Sequence, residues 1–167
     1  ATLSEQTGDR FVLAMGVSHA PLVEGIRGLD YGKPLATMRR YLEAMDASPY
    51  HGAPPPAPAP RLLGALGPKM LELAAERGHG AHPYWTTPEP TAQARALLGP
   101  DKLLCVEQKV VLSTDREVVR RTAEKALGTY RSLPNYRNTW LRLGFTDDEI
   151  DGLADRYPPE LSFGQQQ

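Results

Sequence analysis

Twice in this chain a short apolar run of strand character stops at a glycine and hands over to a helix. Residues 11–15 lead into Gly16-Val17-Ser18-His19, and residues 62–66 lead into Gly67-Pro68. A chain that repeats strand, glycine corner and helix has few folds open to it, because parallel strands need a covering crossover and the helix supplies one. In such folds the loops leaving the C-terminal ends of the strands form the ligand crevice, which makes these two corners the first candidates for chemistry.

The alternation continues along the chain. Behind Pro34, Leu35, Met38, Leu42 and Met45 recur at three and four residues, which predicts a helix with one apolar stripe and proline in its first turn. The proline-rich residues 48–60 cannot build a regular ladder and read as an extended loop inside the same domain. Residues 61–66 predict a strand, Gly67-Pro68 a turn and helix start, and Gly78 the stop of a helix over 70–77. A third strand over 81–85 leads to Thr87 as N-cap ahead of Pro88, with the helix closing at Gly99-Pro100. A fourth strand is expected over 103–112. Thr114 and Glu117 then read as a capping box before the apolar face of Val118, Val119, Thr122, Ala123, Ala126, Leu127 and Tyr130. A second box, Thr146 and Glu149, opens a short final helix, and residues 151–167 read as an irregular tail.

Four strand–helix units with short connections imply a parallel sheet with right-handed crossovers. A complete (β/α)8 barrel takes about 250 residues. The 167 residues therefore read as a single α/β domain, either an open sheet or a portion of a TIM barrel. The chain starts without methionine and ends in Gln165-Gln166-Gln167, and both ends read as cut from something longer.

Charge narrows the partners. Nineteen Lys and Arg against twenty Asp and Glu leave a net charge of -1 and no basic stripe of the kind that releases counterions from nucleic acid. No apolar stretch reaches membrane-spanning length and no signal core opens the chain, so a cytoplasmic protein acting on a small molecule is expected. The lone Cys105, within Leu103-Leu104-Cys105-Val106, reads as a buried small hydrophobe. His79 and His82 straddle a helix end and a strand, a poor chelate spacing, and no metal site is read.

At the first corner Gly16 permits close approach to a flat ligand, while Ser18 and His19 bring a hydroxyl and an imidazole to the crevice. His19 is either a proton-transfer group near neutral pH or an imidazole bonded to neighbouring backbone. At the second corner, Ala65, Leu66, Gly67 and Pro68 place backbone N–H groups at a helix start, where an anion or carbonyl is favoured. At the third, Tyr84 and Trp85 should alternate faces, one toward the crevice and one beneath the helices, with Thr86 and Thr87 adding hydroxyls.

The ordered series Arg10-Phe11-Val12-Leu13-Ala14-Met15-Gly16-Val17-Ser18-His19, Lys33-Pro34-Leu35, Leu63-Gly64-Ala65-Leu66-Gly67-Pro68-Lys69-Met70 and Gly80-Ala81-His82-Pro83-Tyr84 resembles the luciferase-like monooxygenase superfamily, in its branch of coenzyme F420-dependent oxidoreductases. The resemblance extends over about residues 10–150. It implies a (β/α)8 barrel, usually dimeric, with a deazaflavin or flavin at the C-terminal mouth, this chain supplying roughly strands 4 to 7. It further implies Gly16, Val17 and Ser18 beside the cofactor ring, Ala65, Leu66, Gly67 and Pro68 as another part of the cradle, and Thr86 and Thr87 as hydroxyls near cofactor or substrate. His19, or a residue outside this chain, would manage a proton in a hydride transfer between F420 and a small organic substrate. An FMN-dependent monooxygenase of the same fold and a non-catalytic truncated fragment are the alternative readings.

Overall fold

The computed structural model describes residues 2–52 and 57–153. Residues 53–56 of the proline-rich stretch and 154–167 of the expected tail lie outside the described residues. The elements are α1 (Thr2–Gln6), β1 (Leu13–Met15), a π-helical segment (Pro21–Ile26), α2 (Pro34–Ala47), β2 (Arg61–Gly64), α3 (Pro68–Arg77), β3 (Gly80–His82), α4 (Pro88–Leu98), β4 (Leu103–Leu104), α5 (Arg116–Arg131), α6 (Pro134–Arg142) and α7 (Asp147–Asp151). They pack as two compact units, Ala1–Pro83 with Glu89–Val106 and Tyr84–Pro88 with Glu107–Gln167.

The first unit holds the sheet. Its strands run parallel in the order β1-β2-β3-β4. A doubly wound sheet reverses its strand order at a switch point; here each crossover advances by one strand, as in a portion of a (β/α)8 barrel. The register joins Met15, Leu63, Ala81 and Leu104 into one row across the sheet. Residues in register share a face, and this row packs with Met38 and Leu42 of α2, Leu71, Leu73 and Ala74 of α3, and Ala94 and Leu98 of α4. The stripe expected behind Pro34 is thus the stripe that covers the strands. The alternate row, Ala14, Leu62, Gly80 and Leu103, turns to the opposite face.

Gly80 sets the distance between the last two strands. A Cβ at this position would lie 1.9 Å from the backbone oxygen of Leu103, so any side chain would drive β3 and β4 apart. At the opposite end of the strands from the glycine corners, Asp46 of α2 takes Arg61 at 2.7 Å and Arg77 at 2.9 Å. These two guanidinium groups hold the Asp46 carboxyl below its ordinary range.

Several strand ends differ from expectation. β3 stops at His82, because Pro83 has no N–H to donate to a ladder and Trp85 adopts a left-handed φ of 56°. With β3 ended, the pairing of β4 closes with the Cys105 N–H donating to the Ala81 carbonyl at 3.0 Å. The expected strand over 103–112 shrinks to Leu103–Leu104, followed by one isolated parallel bridge between Tyr84 and Glu107 in the other unit. Cys105, expected to be buried, is exposed. It follows the last ladder residue, where the alternation of a two-residue strand no longer ties a side chain to the core.

The second unit is helical. Ala123 and Leu127 of α5, Tyr136 and Trp140 of α6, and Ile150 beside α6 form its buried core. The expected Thr114 cap is replaced by Asp115, whose Oδ1 accepts from the N–H of Glu117 at 2.9 Å and of Val118 at 3.4 Å. Both residue types cap well, and the charged one gains from the helix dipole. The Thr146 box forms as expected, with Thr146 N–H donating to Glu149 Oε2 at 2.9 Å and Glu149 N–H to Thr146 Oγ1 at 3.3 Å. α6 has no counterpart in the sequence reading, although its buried Tyr136, Thr139 and Trp140 follow the i, i+3, i+4 helical spacing.

Candidate functional site

The chain leaves β1 at Gly16 and turns immediately. Ser18 sits at a φ of 62°, in the left-handed region that a residue with a Cβ occupies at a cost of about 1–2 kcal/mol. The hydroxyl of Tyr31 donates to the Ser18 carbonyl at 3.0 Å, and burial pushes the Tyr31 pKa up. The next residue, His19, is half-buried, and its carbonyl accepts from the N–H groups of Leu22 and Val23, each at 3.0 Å. That pair opens the π-helical segment, which continues with Arg27 N–H donating to Leu22 O at 3.2 Å, a five-residue spacing. Isolated π-turns recur at functional sites because the extra residue re-aims side chains. Sequence periodicity has no template for such a turn.

β2 exits through Gly64, Ala65 and Leu66 to Gly67, which caps α3 with extended backbone and no side-chain bond. The Gly67 carbonyl accepts from Met70 and Leu71 N–H at 3.1 Å each, and Pro68 has no N–H. With Pro68 lacking an N–H and Met70 and Leu71 donating to Gly67, the Lys69 N–H is the one amide of this first turn not committed to that carbonyl, and Gly67 has no side chain to cap the end, whereas α5 and α7 carry Asp115 and Thr146 on theirs. Such an end favours a negative or carbonyl-bearing group.

The two corners lie at the same end of the sheet. Met15 is in register with Leu63, and a Cβ added to Gly64 would come within 3.4 Å of the Met15 carbonyl and 3.7 Å of the Gly16 Cα. A Cβ on Gly16 would meet nothing within 4 Å. Glycine at 64 keeps the strands close, and glycine at 16 leaves open space above the sheet end. Gly16, Val17, Ser18, His19, Ala65, Leu66, Gly67 and Pro68 are therefore brought to one edge.

His82, read only as a poor chelator, is in register with Gly64 and shares its face. Its Nδ1 lies 2.6 Å from the Cys105 carbonyl. A carbonyl only accepts, so Nδ1 carries the hydrogen in this contact. Its place at the end of a parallel strand was the signal available in the sequence. Among the described residues no three His, Cys, Asp or Glu side chains gather to hold a metal ion. No helix among them is long and apolar enough to cross a membrane.

Thr86 and Thr87 belong to the second unit, where both are buried. Tyr84 and Trp85 do not alternate faces as a strand would require. The left-handed Trp85 backbone brings both rings into one cluster, their centroids 5.9 Å apart and edge to face. Tyr84 also packs on Tyr130 at 5.2 Å and donates its hydroxyl to Tyr130 Oη at 3.1 Å. That hydrogen bond, with burial, pushes Tyr130 up to about 12. Lys109 Nζ lies 5.0 Å from the centre of the Tyr84 ring and pairs with Glu107 at 2.7 Å, which raises its own pKa.

Sequential parallel strands with two small-residue corners at their C-terminal edge define an α/β protein with the strand order of a partial (β/α)8 barrel. The model of the luciferase-like monooxygenase family matches residues 1–160, and the chain belongs to that family. It is 26% identical over 219 aligned residues to a Mycobacterium tuberculosis protein that carries the provisional name coenzyme F420-dependent oxidoreductase, covering 96% of this chain and 63% of that one. It is 35% identical over 95 residues to the 5,10-methylenetetrahydromethanopterin reductase of Archaeoglobus fulgidus, covering 47% of this chain and 28% of the reductase. The chain thus spans less than two thirds of either relative's length.

Proposed function

We propose that the rim formed by the first two corners binds a deazaflavin, coenzyme F420, and that the protein transfers hydride between it and a small organic substrate. The observation that carries this reading is the closeness of Gly16 to the Gly64 position at one end of parallel strands, beside an α3 start whose Gly67 cap makes no side-chain bond. That combination fits a planar ring with an anionic extension: small residues allow the ring to approach backbone, and the helix start favours the anion. The names of the two relatives support the choice of hydride chemistry over other uses of the fold.

When bound, the deazaflavin supplies the carbon that gives or takes hydride. In this reading Gly16, Val17 and Ser18 present main chain to the ring, and Ala65, Leu66, Gly67 and Pro68 hold its neighbouring part. The His19 imidazole holds the proton that accompanies hydride transfer, a task suited to a group that titrates near neutrality. A cytoplasmic location is part of the same proposal.

Calorimetric titration of the 167-residue chain with coenzyme F420 and, separately, with FMN tests it. Saturable binding of F420 and none of FMN is expected. Binding of FMN alone transfers the reading to a flavin monooxygenase, and binding of neither overturns it in favour of a non-catalytic fragment.

A further inference from the structure

The corner at the end of β1 is not held by its own sequence. Ser18 occupies left-handed backbone although it carries a Cβ, and the three residues after it include no glycine to relax the turn. Tyr31 supplies a restraint from thirteen residues away. Its hydroxyl donates to the Ser18 carbonyl at 3.0 Å, and that oxygen belongs to the peptide plane joining Ser18 to His19. A donor fixed on a carbonyl oxygen fixes the plane, and with it the torsion after the Ser18 Cα and the torsion before the His19 Cα.

Tyr31 is itself anchored. Its N–H donates to Glu24 Oε1 at 3.4 Å, and the following Gly32 N–H donates to Asp30 Oδ1 at 3.0 Å. Between the two ends of the clamp the chain is tied to itself: Leu22 and Val23 N–H to His19 O, Gly28 N–H to Glu24 O at 3.2 Å, and Leu29 N–H to Val23 O at 3.0 Å. The result is a closed loop that the Tyr31 hydroxyl on the Ser18 carbonyl ties back to the strand exit.

We propose that Tyr31 is a positioning residue for the ligand-facing corner: its hydroxyl locks the Ser18–His19 peptide in the orientation that presents Ser18 main chain and the His19 imidazole to the cofactor. The consequence for function rests on the deazaflavin reading above; the clamp itself does not. Tyr31 touches no reacting atom in this scheme and acts through Ser18. A glycine at position 18 would adopt the same backbone without strain, so the need for the clamp is tied to the serine.

The test is a double-mutant cycle of Tyr31→Phe and Ser18→Gly in the full chain, read two ways. Coenzyme F420 affinity is measured by calorimetry, and hydrogen exchange of the Leu22 and Val23 amides is measured without cofactor. Tyr31→Phe keeps the ring and its packing, and should weaken F420 binding about five- to tenfold, the worth of one part-buried hydrogen bond, and speed exchange at both amides by a similar factor. In the Ser18→Gly background the same substitution should change either quantity by less than about twofold. Equal losses in both backgrounds would mean that Tyr31 acts by packing, and unchanged exchange in Tyr31→Phe would remove the clamp; either result overturns the proposal. If the unaltered chain binds no F420, the functional reading fails while the exchange measurement still decides the clamp.

Discussion

Two corners leave the same end of one sheet and are built in opposite ways. The β2 exit reaches α3 through a glycine whose backbone is ordinary extended chain and whose helix begins at a proline, so local sequence alone specifies it. The β1 exit forces a serine into left-handed backbone, follows it with a π-helical segment, and depends on a tyrosine hydroxyl from beyond the loop. One corner is rigid by composition. The other is rigid by a contact, and a contact can be removed without touching the residues that face a ligand.

The largest disturbance strikes both corners at once. Gly80→Ala places a methyl group on the Leu103 oxygen, and a backbone that must separate here costs about 3 kcal/mol, the upper end of overpacking. Thermal unfolding should show the loss, and F420 affinity should fall at both corners because the sheet that aligns them is displaced. A native-like melting temperature would show that β3 and β4 tolerate the wider spacing.

Gly67→Asp sharpens the contrast at intermediate scale. A carboxylate at the N-cap of α3 can accept from its first turn and should leave stability equal or raise it by a few tenths of a kcal/mol. It also puts a negative charge where the anionic part of the cofactor is proposed to lie, so affinity should drop at least about tenfold, or roughly 1.4 kcal/mol. Stability and binding moving in opposite directions is the signature, measured by denaturant titration and calorimetry on the same sample. If affinity is unchanged, the α3 start is only a helix end.

The smallest effect belongs to the far end of the strands. Asp46 is held below its ordinary pKa first by its hydrogen bonds to Arg61 and Arg77, so its stabilising contribution is complete above the unfolded carboxylate pKa of about 4 and is lost as pH falls through the lower folded value. Asp46→Asn should flatten the acid limb of the stability–pH curve slightly, since the group is exposed, and leave cofactor affinity at neutral pH unchanged. A change in affinity would break the separation between a binding end and a stabilising end of the sheet.

What was legible in the sequence follows the same division. Most patterns closed within a few residues match the structure, among them the Pro34 helix with its Met38 and Leu42 stripe, the Gly67-Pro68 start and the Thr146 box, while the Thr114 box gives way to Asp115 one residue on. The strand–helix alternation also carried the parallel sheet. Features set by partners distant in the chain were not readable. The fourth strand ends early because its neighbour ends at Pro83, Trp85 turns left-handed where alternation expects extended chain, and Cys105 is exposed just past the last paired residue. Tyr31 belongs to this second group, its role visible only once Ser18 lies beside it in space.

The aromatic cluster bears on how any of these changes would be seen. Both tryptophans of the chain, Trp85 and Trp140, lie in the helical unit, with Tyr84, Tyr130 and Tyr136 ringed between them. Intrinsic indole emission therefore arises from that unit. The strand edge with its two corners gives no tryptophan signal of its own until one is introduced there, for which half-buried Phe11, just ahead of β1, is a natural host.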